Sequence, residues 1–308
     1  MTPPSSPKRL VVAINPSARF GATKSVGPAV VERLRSLGHE VTSLSEPSYE
    51  RLVEVARAAV ATKPDALIVV GGDGMVNLGT NLVVGTDVPL GLVPSGTGND
   101  MARSLGIAHE SWQDALGQVI EALDRPARVI DAVHVRTDEG EERWYACILS
   151  AGFDAVVNER ANRMRHPKGK SRYTIALLLE LVTLKPISYR IVLDGTELET
   201  DGMLVSVGNG VSLGGGMKVT PNALLDDGLL DVLVVGPLSR LSFLRIFPRV
   251  FAGTHLSDPR VKIHQAKKVR IEAVGVAAYA DGERVGPLPV DIEVKPGALK
   301  ILAPVVAN

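Results

Sequence analysis

Three short runs of small residues could hold phosphate. The first, Gly71-Gly72-Asp73-Gly74, follows the β-branched run Ala66 to Val70 and precedes a segment of helical period. Paired glycines let backbone amides approach a phosphate closely, and a helix N-terminus behind them adds partial positive charge. A carboxylate at Asp73 beside that phosphate calls for a bridging Mg²⁺ or an ordered water. Taken alone, the tetrapeptide reads more readily as an Asp-Gly turn with no ligand. It has company in Pro94-Ser95-Gly96-Thr97-Gly98-Asn99-Asp100 and in Asn15-Pro16-Ser17-Ala18-Arg19-Phe20-Gly21, each placed after a strand-like run. Three such loops at the carboxyl ends of parallel strands make a phosphate cradle. Neither GxxxxGK[ST] nor a GxGxxG following a strand occurs, which disfavours P-loop enzymes and nicotinamide dehydrogenases.

Two further turns carry carboxylates. Asp281-Gly282-Glu283 puts two carboxylates beside one glycine, and Asp226-Asp227-Gly228 offers hard oxygen donors that suit Mg²⁺ without requiring it. Each tripeptide by itself is also an ordinary solvated turn. From Arg160 to Arg172 the cations Arg163, Arg165, Lys168 and Lys170 stand among others with no acidic residue between them. Near an anionic leaflet such charges are worth about 1 kcal/mol each. A second segment mixes Leu241, Phe243, Leu244, Ile246, Phe247, Val250 and Phe251 with Arg240, Arg245 and Arg249. Both segments suit a peripheral membrane surface, and both can be read as a solvated loop and helices packed on a sheet.

The elements that must position these residues alternate early in the chain. Strand-like runs Leu10 to Ile14, Val41 to Leu44, Ala66 to Val70 and Leu90 to Val93 are separated by helical patterns, the first of which stops at Gly38. That order predicts right-handed crossovers and a mostly parallel sheet covered on both faces. From about Ala127 the pattern changes to strands divided by turns: Val129 to Arg136, Trp144 to Leu149, Tyr189 to Leu193, Leu204 to Val207, Leu229 to Val235, Val269 to Glu272 and Val276 to Ala280. Helical insertions interrupt it near 154–184 and 238–251. The expected architecture is an α/β nucleotide-binding domain over 8–128, a mostly antiparallel β-sandwich over 129–288, and a tail over 289–308 that could return to the first domain.

Composition agrees with two folded domains. The 308 residues are 45% apolar and 22% charged, as in ordinary globular proteins, and 34 Lys and Arg balance 34 Asp and Glu. No global field draws in nucleic acid, so none is expected as a partner. One cysteine, Cys147, allows no internal disulfide and fits a reducing cytosol. The Pro- and Ser-rich start has no secretion-signal pattern, and the apolar run Ile175 to Leu184 is far short of the ~20 residues needed to span a bilayer.

In their order, these motifs resemble the diacylglycerol kinase catalytic-domain family of bacterial lipid kinases, which has sphingosine and ceramide kinases as relatives. The likeness rests on Asn15-Pro16, Gly71-Gly72-Asp73-Gly74 followed by Asn77, Pro94 to Asp100, Asp131, Leu225 to Val232, and Ala280 to Glu283. The stretch from Asn158 to Tyr173 looks most like actinobacterial diacylglycerol kinases. The resemblance implies the two-domain plan shared with NAD kinases, ATP and Mg²⁺ as cofactors, and transfer of the γ-phosphoryl group to a lipid hydroxyl, diacylglycerol first among candidates. It implies nucleotide contacts from Asn15, Pro16, Ser17, Ala18, Arg19, Ser45, Gly71, Gly72, Asp73, Gly74, Met75, Val76, Asn77, Gly96 and Thr97. Catalytic roles fall to Asp73 at the metal, Asp281, and Glu283 as base, with Asn99, Asp100 and Asp131 as a supporting network. A structural Mg²⁺ would take Asp227 with the carbonyls of Leu224 and Leu229. The chain departs from the family at Met75, where relatives carry Thr or Ser, at Leu78 in place of Glu, and at Ser45 in place of Thr.

The implied setting is the cytoplasm, with peripheral association at the inner membrane surface; a homodimer is left open. Two other functions stay in view. An NAD kinase shares Gly-Gly-Asp-Gly but has no use for a basic lipid-side loop, and a non-catalytic nucleotide- or lipid-binding module would have no need of Asp73, Asp281 and Glu283.

Overall fold

The computed structural model describes residues 6–16, 25–153, 157, 160, 164, 175–176, 179–180 and 185–304. They form two units, one made of residues up to Ile130 together with those from Gly297, the other running from Asp131 to Pro296.

The first unit begins with β1 (Arg9–Ile14), α1 (Val26–Ser36), β2 (Glu40–Leu44), α2 (Tyr49–Ala61), β3 (Ala66–Gly71), α3 (Asp73–Val83) and β4 (Leu90–Pro94). Two helices follow, α4 (Asp100–Ser104) and α5 (Trp112–Ala122). β1 pairs parallel with both β2 and β3, and β3 pairs parallel with β4. Every residue of β3 and β4 is buried, which is why both read as unbroken apolar runs: helices cover both faces of a parallel sheet. Leu10, Val12, Ile68, Val70 and Val93 meet Val30 and Leu34 of α1 and Leu116 and Val119 of α5 in one core. The ends of these helices are set by local chemistry. Ser48 and Ser111 accept from the amides of Arg51 and Asp114, and Gly38, at φ +90°, ends the first crossover with its amide on the Arg35 carbonyl.

The second unit stacks two sheets. One is antiparallel in the order β14 (Val261–Ala266), β13 (Leu230–Val235), β10 (Leu204–Gly208), β7 (Ile148–Gly152), β16 (Ala277–Ala280), β17 (Glu283–Pro287). The other holds β5 (Arg128–Thr137) paired with β6 (Glu142–Tyr145), and β15 (Lys268–Glu272) between β8 (Ile187–Leu193) and the early part of β18 (Val290–Leu302), with β9 (Thr196–Gly202) beyond β8. Val133, Tyr145, Ile191, Val269 and Val290 from the latter meet Leu149, Val207, Val232, Ala278 and Val285 from the former in a single buried layer, the signature of a sandwich. The unit also holds a short ribbon, β11 (Ser212–Leu213) with β12 (Met217–Lys218), the helix α6 (Arg240–Ala252) and a 3-10 turn at His255–Ser257. β18 runs on past Pro296 into the first unit, where Ile301 and Leu302 pair parallel with Leu90 and Gly91 of β4. Among the described residues, no helix is long and apolar enough to cross a membrane.

Two expectations need correction. The run Trp144 to Leu149 is not one strand: it breaks at a bend over Ala146 and Cys147, with Tyr145 closing β6 and Ile148 opening β7 in the other sheet. The helix expected after Gly74 starts at Asp73, capped by Gly72, so the carboxylate belongs to its first turn.

Candidate active site

In the first unit the loops after β1, β3 and β4 are joined by their backbones. The Asn15 amide donates to the Val70 carbonyl at 3.1 Å, and the Ser95 amide donates to the Gly71 carbonyl at 2.9 Å. Gly72 and Gly96 touch: a Cβ on Gly96 would lie 2.5 Å from the Gly72 Cα, so Gly96 admits no side chain, and a Cβ on Gly72 would be tight against the Gly96 Cα at 3.1 Å. Asp73 closes the assembly. Its Oδ2 accepts the Asn99 amide at 3.0 Å and its Oδ1 accepts the Asp100 amide at 2.8 Å. Asn99 turns those amides inward by adopting the left-handed conformation, φ 56° and ψ 40°, while its own side chain bridges back to Gly96. Burial, and then the neighbouring Asp100 carboxylate, push the Asp73 carboxyl above its ordinary value, against the pull of the amides. A buried carboxylate held at that cost, with no salt-bridge partner among the described residues, is a candidate cation site.

Several expected nucleotide contacts can act only through the main chain. Met75 and Val76 are buried, and Met75 fills the space that a Cβ on Gly71 would need, within 2.3 Å of that position. The departure at Met75 is thus a packing choice coupled to Gly71. Leu78 is likewise core. Asn77 is buried too, with its carbonyl and Oδ1 receiving Asn81 Nδ2. The amides of Met75 and Val76 already bond to the Gly72 carbonyl, which leaves those of Asp73 and Gly74 ahead of the first helical hydrogen bond. Thr97 is exposed at the tip of its loop. Ser45 lines a concave groove of about 620 Å³ whose walls include Ile14, Pro28, Val31 and Arg35. Ser17, Ala18 and Arg19 lie outside the described residues, as do Arg163, Arg165, Lys168 and Lys170.

In the second unit Asp281 and Gly282 form the two-residue turn between β16 and β17, with φ of +48° and +86°. Two consecutive positive φ values match the twist of a hairpin, and the Asp-Gly pair suits them. Glu283 therefore opens β17 opposite Ala280, exposed, and is not part of the turn itself. Asp281 differs from the expectation of a group facing a ligand. Its carboxylate accepts the amides of Ala146 at 3.0 Å and Ile148 at 2.9 Å, and that of Cys147 at 3.2 Å. It is the clamp that breaks the Trp144 to Leu149 run and fixes the turn that precedes Glu283. Asp281→Ala should lower unfolding stability by about 2 kcal/mol, as expected for charge-assisted bonds left unmade, with the loss read from urea denaturation. Stability equal to the parent protein would remove the clamp.

Asp131 and Asn209 hold the neighbouring segment. Asp131 Oδ2 accepts the Gly228 amide at 2.7 Å, and its own amide donates to the Leu225 carbonyl at 2.7 Å. Asn209, missed from sequence, is fully buried; it donates through Nδ2 to the carbonyls of Asp131 and Ala146, and its amide donates to the Cys147 carbonyl. The Val207-Gly208-Asn209-Gly210 run carried a turn signal that did not reveal this bracing. Asp227 Oδ1 accepts the Leu229 amide at 3.0 Å, which shapes the Asp226–Gly228 turn. Among the described residues no three His, Cys, Asp or Glu side chains gather for a metal. Each candidate position offers a carboxylate, Asp73 at one and Asp227 at the other, and hard oxygen donors of this kind fit a cation that keeps waters or takes phosphate oxygens, as Mg²⁺ does.

Residues 9–132 match the model of the diacylglycerol kinase catalytic domain, and residues 147–303 match that of the YegS C-terminal NAD kinase beta sandwich-like domain. A Mycobacterium tuberculosis protein named diacylglycerol kinase is 39% identical over 297 residues, covering 96% of this chain and 95% of its own. A Bacillus subtilis protein of the same name is 26% identical over 286 residues, 92% of each. Among solved structures, a diacylglycerol kinase from Bacillus anthracis has TM-score 0.71 at 22% identity, covering 96% of this chain and 97% of that one. An NAD kinase from Archaeoglobus fulgidus in complex with ATP has TM-score 0.54 at 14% identity, covering 96% and 93%. These two are likenesses of fold. With both domain models matched in order and a relative aligned along nearly the whole chain, this protein belongs to the diacylglycerol kinase family and is a lipid kinase.

Proposed function

We infer that the protein transfers the γ-phosphoryl group of ATP to the hydroxyl of diacylglycerol, giving phosphatidic acid. The observation that carries this reading is the Asp73 carboxylate, seated on the Asn99 and Asp100 amides at the junction of glycine loops, in a chain of this family. Mg²⁺, when bound, supplies charge neutralisation on the β- and γ-phosphates. Asp73 orients it, and the amides of Asp73 and Gly74 face the phosphates from the N-terminus of α3. Asn15 and Pro16 belong to the same cradle, and the groove beside Ser45 takes the nucleoside. Asn99 and Asp100 hold Asp73 in place. Glu283 accepts the proton of the lipid hydroxyl as its oxygen attacks the γ-phosphorus, and ADP leaves. Asp281 and Asp131 are positioning residues. The Asp227 turn, with carbonyls of Leu224 and Leu229, holds a second, structural Mg²⁺. The acceptor is met at the inner membrane surface.

The test is incubation with labelled ATP and Mg²⁺ against diacylglycerol, phosphatidylglycerol, sphingosine, ceramide, undecaprenol and NAD in mixed micelles. Labelled phosphatidic acid and no NADP is the expected outcome. Short-chain diacylglycerols should be poorer acceptors, since each CH₂ entering an apolar cavity contributes about 0.8 kcal/mol. NADP formed with no lipid product would reverse the reading. Tight ATP binding with no product at all would point to a binding module.

A further inference from the structure

Helix α6 is apolar on the face that ought to be polar. Phe243 and Ile246 point inward and are buried, as in any surface helix. Phe243 is held edge-on to Phe153 at 4.8 Å and stacks on Phe247 at 5.6 Å, which meets Phe251 at 6.0 Å. The opposite face, however, presents Leu241, Leu244, Pro248 and Phe251, spaced to form one stripe, with Leu241 78%, Leu244 45% and Phe251 50% exposed. Arg240 borders the stripe on one side and Arg245 on the other, both exposed. No Asp or Glu occurs from Ser239 to Thr254. Arg249, at the end of the helix, is folded back onto the Thr254 carbonyl at 2.8 Å and onto Ser257.

A contiguous apolar stripe on a rigid element marks an interaction surface. The identity of the partner follows from three features. The charges on the helix itself are all positive, Asp258 beside it being paired with Arg260, which complements an anionic surface. Arginine stems also reach along apolar matter while their heads stay in water. Finally, Pro248 has no amide to give the Leu244 carbonyl its usual helical bond, and a hydrated lipid interface can supply that acceptor with water or a headgroup donor.

We propose that α6 is a membrane-docking helix that lies in the plane of an anionic bilayer, with Leu241, Leu244 and Phe251 among the upper acyl chains and Arg240 and Arg245 at the headgroups. The assignment deepens the reading of the acceptor as a membrane lipid and rests on it. It places the surface on a helix of the second unit held by its own aromatic stack.

Leu241→Cys carries the test, because the one native thiol, Cys147, is buried and a thiol-reactive NBD fluorophore will label position 241. On phosphatidylcholine vesicles containing about a third phosphatidylglycerol, NBD emission should rise at least about twofold and shift to the blue. The triple variant Leu241→Gln, Leu244→Gln, Phe251→Gln should lose at least about tenfold in vesicle partition, while its turnover of detergent-dispersed diacylglycerol stays within about twofold of the parent. Arg240→Gln with Arg245→Gln should make partition less sensitive to salt. The proposal is overturned if the label reports no change while the protein sediments with vesicles, or if the triple variant partitions like the parent. It is equally overturned if the triple substitution only dissolves a dimer, since a second copy then covers the stripe, or if it abolishes micellar turnover with partition intact. Should the parent protein phosphorylate no lipid in micelles, the acceptor reading fails by itself; the vesicle measurements then decide the helix separately.

Discussion

Glu283→Gln is expected to lower kcat at least about 10²-fold, the usual size for loss of a general base. The amide keeps the shape of the side chain and cannot take a proton. Glu283 is exposed at the first position of β17, and the turn before it is fixed by Asp281, so the fold has no stake in the carboxylate. Stability should stay within about 0.5 kcal/mol of the parent, as for other surface changes. KM for ATP should also hold, because the role assigned to Glu283 begins when the hydroxyl attacks. A folded variant that retains more than about a third of parental turnover would remove Glu283 from the role of base.

Asp73→Ala should be comparably severe in turnover, at least about 10²-fold, but should leave a different trace. The substitution strands the Asn99 and Asp100 amides, which costs about 1–3 kcal/mol where such groups are buried. Part of that is returned, because burial and the Asp100 carboxylate work against the ionised Asp73 in the ligand-free protein. The net loss of stability should therefore fall at the low end of the range. Gly98→Ala separates position from chemistry: its Cβ would stand 2.2 Å from Asp73 Oδ2, so the carboxylate must shift although it is chemically unchanged. Turnover of Gly98→Ala should drop with that of Asp73→Ala. Full activity in Gly98→Ala would show that the placement of Asp73 is not critical.

The first unit was legible because its signals are local. β3 is apolar throughout, Gly38 stops α1, and Gly71-Gly72-Asp73-Gly74 sits where a strand hands over to a helix. What pairs with that motif was legible only as a coincidence of loops, and the bonds from Asn99 and Asp100 to Asp73 join residues more than 25 positions apart. In the second unit the decisive contacts are longer still. Trp144 to Leu149 is uniformly apolar, so nothing within it announces a break; the break is imposed by Asp281, 135 positions away from Ala146. Asn209 was invisible for the same reason, its partners Asp131 and Ala146 being set by the fold. Residues 289–308 read as a tail that could return to the first domain, whereas one continuous strand runs from Val290 to Leu302 through Pro296 and Gly297. The outward stripe of α6 was seen as apolar content, but period alone could not say which side faced the sandwich.

The course of β18 bears on how the polypeptide is made. The parallel sheet of the first unit receives its β4 neighbour from Ile301 and Leu302, more than two hundred residues after β4 itself. During synthesis, β1 to β4 leave the ribosome early, yet the β4 edge keeps unpaired N–H and C=O groups until residues 297–302 arrive. The order of translation and the order of completion are thus reversed for this unit, which must wait, partly assembled, for the sandwich to be threaded first. Residues 1–130 expressed alone would carry that open edge permanently and should aggregate, while supplying residues 297–304 in trans, or fused through a short linker to the N-terminus, should restore a soluble fold.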